Sequence, residues 1–171
     1  MKKKEIEILV YVLIIVFVIL IKIFVVTPVV VRGQSMYKTL HNKDVMILNK
    51  LSYKFNDIKR FDIVVIKLPN ELIIKRIIGL PGDKIEYKNN KLYVNGKRVK
   101  ENFDKIDDTT LEDYNTEELG SITVPKGYYF VLGDNRKNSA DSRVIGFIKE
   151  KSIQGKASYT IFPFTRFGKK K

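Results

Sequence analysis

From Ile8 to Ile21 the chain carries no charge at all, and Lys2, Lys3 and Lys4 stand in front of that run. The run is apolar on every face rather than along one stripe, which argues against a core helix of a soluble domain. Counted on through Lys22 to Val26 it has 19 residues, roughly 28 Å of helix and close to the thickness of a hydrocarbon core. Lys22 lies near the far end, where a long side chain can snorkel to the interface. A cleavable signal peptide shares the charged start. This run is longer than such a peptide's apolar region, however, and Thr27, Pro28 and Val29 offer no small-x-small cleavage site. The expectation is a short basic cytoplasmic tail over 1–7, an uncleaved transmembrane anchor over 8–26, and one domain over 27–171. Arg32, Lys38 and Lys43 nearly balance the N-terminal lysines, so the charge rule leans only slightly towards a cytoplasmic N-terminus and an extracytoplasmic domain.

Beyond the anchor the periodicity is that of short strands. Runs at 44–49, 61–67, 71–78, 84–87, 91–94, 122–124, 128–132 and 152–162 are separated by Gly, Pro and Asn. Asn89-Asn90 predicts a hairpin turn, and Asn95-Gly96 a second tight turn. The fold class expected is mainly β: an antiparallel barrel- or sandwich-like domain behind one N-terminal transmembrane helix. Between Glu101 and Leu119 stand eight acidic residues and one Lys, which reads as a solvated loop or as an acidic face for a partner. The rest is basic: the whole chain has 32 Lys+Arg against 19 Asp+Glu. Basic surface beside an anchor suits anionic membrane lipids. Nucleic acid is not expected as a partner, because no recognition helix, zinc module or aromatic RNA motif accompanies the charge.

Cysteine is absent and His41 is the single histidine, so neither a thiolate nor a His-rich metal site can be built. Three segments carry candidate chemistry. Gly33-Gln-Ser-Met-Tyr-Lys-Thr-Leu40 holds Ser35 nine residues after Val26, within about 30 Å of the membrane face at full extension. Gly-x-Ser alone is a weak signal. In Ile74-Lys-Arg-Ile-Ile-Gly-Leu-Pro-Gly-Asp83 strand alternation sets Lys75 between Ile73 and Ile77 on an apolar face. A lysine there snorkels out, pairs with a carboxylate, or is buried with a lowered pKa; only the last makes a general base. The third segment, Gly133-Asp-Asn-Arg-Lys-Asn-Ser-Ala-Asp-Ser-Arg143, follows an apolar strand. It is either a polar loop of Asx-type turns or a layer of support for a catalytic lysine.

Taken together and in this order, the anchor, the Ser-Met segment, the Lys-Arg segment and the Gly-Asp-Asn-Arg segment resemble the bacterial type I signal peptidases, also called leader peptidases, over nearly the whole chain. The block Gly-Asp-Asn-Arg-x-Asn-Ser-x-Asp-Ser-Arg is highly specific. The resemblance implies a serine endopeptidase of the Ser-Lys type that removes signal peptides from secreted precursors through an acyl-enzyme, without metal or organic cofactor. It implies Ser35 as nucleophile and Lys75 as general base. Ser139 would orient the Lys amine, Asp141 and Arg143 would form an ion pair beside the site, and Asp134, Arg136 and Arg76 would give further support. Val29, Val31, Met36 and Ile74 would shape apolar pockets, and substrates would carry small residues before the cut.

The chain departs from that pattern at three places. Lys38 stands where the family usually has Pro, so the loop after the nucleophile lacks a fixed φ. Phe61 precedes Asp62 where a Gly is frequent. Gly33 replaces a Ser that in some members helps to hold the oxyanion, which leaves that task to the Ser35 backbone N–H. Three rivals differ in kind: a protease using His41 as base, an inactive membrane-tethered scaffold, and a self-cleaving repressor, which would need a DNA-binding module where the anchor stands.

Overall fold

A computed structural model of the chain describes residues 3–103 and 113–170. The elements are α1 (Lys3–Phe24), β1 (Val26–Val30), β2 (Val45–Asn49), α2 (Ser52–Phe55), β3 (Ile63–Lys67), β4 (Leu72–Gly79), β5 (Ile85–Lys88), β6 (Lys91–Val94), β7 (Lys97–Val99), β8 (Tyr114–Asn115), β9 (Tyr128–Leu132), α3 (Ser142–Ile145), β10 (Ile148–Lys149), β11 (Ile153–Phe162) and β12 (Gly168–Lys169). The described chain after α1 is mainly β, and every strand pair is antiparallel. The larger sheet runs β1-β2-β11-β3-β4-β9-β10 with β12 beside β11, and the smaller runs β7-β6-β5-β8. Among the described residues the large sheet ends at β1 and β10, so its hydrogen-bond ladder is open rather than closed on itself.

Strand alternation explains the core. On β3, Ile63 and Val65 join a cluster with Met36, Leu40, Met46 and Ile74, while Val64 and Ile66 join one with Ile77, Tyr129 and Val131 on the opposite face. β3 and β4 are therefore apolar on both sides, and each fully buried Val or Ile contributes about 1.5–3 kcal/mol. A third cluster, with Ile78, Ile85, Tyr87, Leu92 and Phe130, joins the small sheet to the large one.

The Asn89-Asn90 and Asn95-Gly96 turns form as expected, with φ of 48° and 59°, and 52° and 76°. The run 122–124 does not become a strand. Ile122 is exposed, and Val124 instead exchanges backbone hydrogen bonds with Gly82 and Asp83. The acidic segment is not simply a solvated loop. Residues 104–112 lie outside the described part, but Glu101 pairs with Arg136 and Glu117 with Lys84, and Tyr114 stacks on Tyr87 at 5.0 Å.

α1 exposes its apolar side chains on all faces, from Ile8 at 62% to Tyr11 at 64% and Phe17 at 63%. Among the described residues no helix is long and apolar enough to cross a membrane. Glu5 and Glu7 at one end and Lys22 at the other leave Ile8–Ile21 uncharged, roughly 21 Å of helix against a hydrocarbon core of about 30 Å. The strand β1 starts at Val26, one residue before the boundary read at 27. The junction is stitched: Thr27 Oγ1 donates to the Lys22 carbonyl at 3.0 Å, and the Lys50 N–H to the Val25 carbonyl at 3.0 Å.

Candidate active site

Three backbone segments meet at Gly133. β4 pairs with β9 so that Arg76 faces Leu132. Carried one residue past the end of β9, the same register would set Lys75 opposite Gly133. Directly opposed residues of an antiparallel pair project to one face. On that face of Gly133 there is no room: a Cβ would overlap the Ser139 side chain and the Ser35 carbonyl oxygen. The missing side chain of Gly133 is thus the space taken by Ser139 and the Ser35 carbonyl, beside the strand that carries Lys75.

Ser35 sits on a turn that the sequence closes locally. Gly33 has φ of 82°, a conformation that strains a residue with a Cβ, and its N–H donates to Asn42 Oδ1 at 3.1 Å. The Tyr37 N–H donates to the Gln34 carbonyl at 3.1 Å, and the Tyr37–Lys38 peptide bond is cis. Asn135, to which the sequence assigned no role of its own, fastens the turn to the third segment. Its backbone N–H donates to the Ser35 carbonyl at 2.9 Å and its Nδ2 to the Gln34 carbonyl at 3.2 Å. Among the described residues the Ser35 N–H has no hydrogen-bond partner.

Lys75 is 3% exposed and makes no ion pair with a described carboxylate. Of the three readings open to it, burial is the one the fold adopts. Burial pushes its pKa below the ordinary lysine value; Asp141, Glu71 and Asp134 oppose the shift and Arg143 adds to it. The Ser139 hydroxyl is buried and has no partner among the described residues.

The supporting residues form two fastenings. Asp134 accepts from Arg76 Nε at 2.8 Å and Nη2 at 2.7 Å, both side chains being fully buried, and from the Thr39 hydroxyl. Arg76 Nη1 also donates to the Phe61 carbonyl at 2.9 Å. Phe61 has φ of 70°, which gives a physical reason for the glycine frequent at this place: the left-handed region costs a bulky residue on the order of 1–3 kcal/mol. Asp141 accepts the Gly133 N–H at 3.0 Å and grips Arg143 through both oxygens at 2.9 Å. It also caps the short helix α3. Arg136 Nε donates to the Gly133 carbonyl at 2.9 Å and reaches Tyr87 and Glu101 with its other nitrogens. Glu101 and Thr39, like Asn135, are partners that strand patterns did not reveal, since each acts across a long sequence separation.

Val31, Met36 and Ile74 lie in one buried cluster with Val29 packed against it. His41 stands apart from these fastenings, its ring edge-on to Tyr37 at 5.1 Å and its Nδ1 buried without a partner.

The chain thus carries a serine on a turn fastened to the segment after β9 and a buried lysine on β4, and comparison with known proteins gives the class. Residues 5–162 match the family model described as signal peptidase, peptidase S26. The chain is 45% identical over 155 residues to signal peptidase I of Bacillus caldolyticus, covering 86% of this chain and 85% of that one. It is 40% identical over 160 residues to signal peptidase I S of Bacillus subtilis (strain 168), covering 91% and 87%. The crystal structure of a signal peptidase I from Enterococcus faecalis V583 is similar with a TM-score of 0.54 and 38% identity, over 59% of this chain and 97% of that one. The chain belongs to the signal peptidase family and is a serine hydrolase of the signal peptidase I kind.

Proposed function

We propose that this chain removes signal peptides from secretory precursors at a membrane surface, with Ser35 as nucleophile and Lys75 as general base. The observation that carries the reading is the crowding at Gly133, where Ser139 and the Ser35 carbonyl fill the place of a side chain, beside a strand that buries Lys75 with no ion pair among the described residues. Neutral Lys75 takes the Ser35 proton as Oγ attacks the scissile carbonyl. The unpartnered Ser35 N–H is available to the developing oxyanion. Protonated Lys75 then gives its proton to the leaving amine, and water releases the acyl-enzyme with Lys75 again as base. Ser139 orients the Lys75 amine. Asp134, Arg136, Asp141, Arg143 and Arg76 hold the two segments that carry the dyad. The cluster of Val29, Val31, Met36 and Ile74 offers an apolar lining for small residues before the cut.

The all-round apolar surface of α1 supports a membrane anchor, completed by snorkelling of Lys22 and by the residues up to Val25. The short N-terminal tail then faces the cytoplasm and the β domain the outer side, with membrane lipid as a standing partner.

The test uses the full chain in detergent and a precursor with an Ala-x-Ala site, followed by gel shift and N-terminal sequencing of the product. Wild type should cut after the second Ala, and Ser35→Ala and Lys75→Ala should not. Activity that survives Lys75→Ala and disappears with His41→Ala would move the base to His41.

A further inference from the structure

Residues Glu101 to Phe103 belong to no motif, yet they close both buried arginines behind the candidate active site. The Phe103 ring lies over the Arg76 guanidinium, 3.8 Å from its central carbon to the ring centroid. It also packs against Phe61 at 5.5 Å and stands 6.0 Å from the Arg136 guanidinium carbon. Two residues earlier, Glu101 pairs with Arg136. The edges of the Arg76 guanidinium are turned to Asp134, the Phe61 carbonyl and Thr39; its flat face meets Phe103.

We propose that Phe103 is a positioning residue for the dyad, its ring holding and drying the Arg76–Asp134 pair that sets Lys75 against Gly133, Ser139 and Ser35. The inference rests on the Ser35–Lys75 reading above. Arg76 is the chain neighbour of Lys75, and Asp134 that of Gly133. The pair between them therefore fixes one side of the dyad relative to the other. An aromatic face attracts a guanidinium most strongly where water is excluded, and a dry site keeps the Arg76–Asp134 attraction strong. Without the ring, water reaches the pair and the two segments slacken.

The slackening has a readout that simple loss of packing lacks. The charged groups around Lys75 are Glu71 ahead of β4, Asp134 and Asp141 in the loop after β9, and Arg143 in α3; from β3 it faces the apolar Val64. An Asp134 less tightly neutralised, and a wetter pocket, both favour the Lys75 ammonium. The acid limb of the rate profile then moves to higher pH.

The experiment measures precursor cleavage by the full chain in detergent from about pH 6 to 10. It compares wild type, Phe103→Leu, Phe103→Trp and chains with progressively fluorinated phenylalanine at 103, which keeps the ring and strips its negative face. Phe103→Leu should lower kcat about tenfold with KM changed less than about twofold, and its acid limb should shift upward. Phe103→Trp should restore both, and kcat should fall stepwise with fluorination. A wild-type profile in Phe103→Leu, a loss that follows Tm with an unshifted limb, or a flat fluorination series overturns the proposal. Should Phe103→Leu not fold, the fluorinated series decides by the same readout. Lys75→Ala and Ser35→Ala run alongside: activity surviving in either overturns the dyad and this proposal together, whereas inactive controls beside unshifted Phe103 variants overturn this proposal alone.

Discussion

Lys75 is buried without a carboxylate partner among the described residues, and a buried ammonium is expensive. Its pKa is lowered on folding, so above that pKa and below the unfolded value of about 10.4 the unfolded chain binds more protons and stability rises with pH. Lys75→Met should therefore abolish cleavage and raise stability by about 1 kcal/mol or more. The gain should be largest at acid pH and fade as the pH approaches 10; thermal melts across that range check it. In the wild type kcat/KM should climb with pH as Lys75 loses its proton, with a midpoint below that of an ordinary lysine. Gly133 gives a second expectation. Its φ is not in the left-handed region, so Gly133→Ala has no backbone strain to bear, but the new Cβ meets Ser139 and the Ser35 carbonyl. A displacement near 1 Å is enough to lower kcat about 100-fold, and the overpacking should cost about 1–3 kcal/mol of stability; single-turnover kinetics beside calorimetry would show both. The sequence marked Ser35 and Lys75 by motif, and strand alternation put Lys75 between Ile73 and Ile77. It could not reveal that Lys75 lacks a counter-ion, because whether a loop carboxylate swings onto a lysine depends on the other partners it has. Here Asp134 and Asp141 are already held by Arg76 and Arg143.

The strands that were legible are those whose side chains are apolar by themselves: β3, β4 and β9 bury nearly every residue, so unbroken Val and Ile mark them. β1, β7, β10 and β12 each pair with a single described strand. They exist because a neighbour supplies hydrogen bonds, and nothing in their own residues announces it. The run 122–124 failed for the converse reason: β-branched residues found no partner strand. What joins strands to loops here is charge. The Arg76–Asp134 pair connects β4 to the segment after β9 with neither side chain exposed. Asp134→Asn should cost about 3–5 kcal/mol, because Arg76 is then buried without a counter-charge. Arg76→Met combined with Asp134→Leu should recover a good part of that stability while leaving cleavage impaired, since the geometry of the fork is lost; urea titrations of the single and double variants measure the difference.

With the helix α1 removed and the chain begun near Val25, the β domain keeps its three clusters and both fastenings. Such a shortened protein should cut a short soluble peptide at a rate within a few-fold of the full chain. A precursor embedded in vesicles should be cut about 100-fold more slowly, because the proposed anchor supplies effective concentration rather than contacts. Flotation with vesicles, and cleavage of the two substrates side by side, separate these effects. The join between α1 and β1 has one more consequence. Only Val25 lies between the last helical residue and the first of the strand, and the Thr27 and Lys50 hydrogen bonds lock it. An enzyme on a slack tether would sweep through many heights above the bilayer; with α1 as the proposed anchor, this one would stand on a post. Ser35, the proposed nucleophile, would then be held at one altitude, and the molecule would act as a ruler. Peptide bonds presented at the level of Ser35 would be within reach, and identical bonds deeper in the lipid or farther out in water would pass uncut.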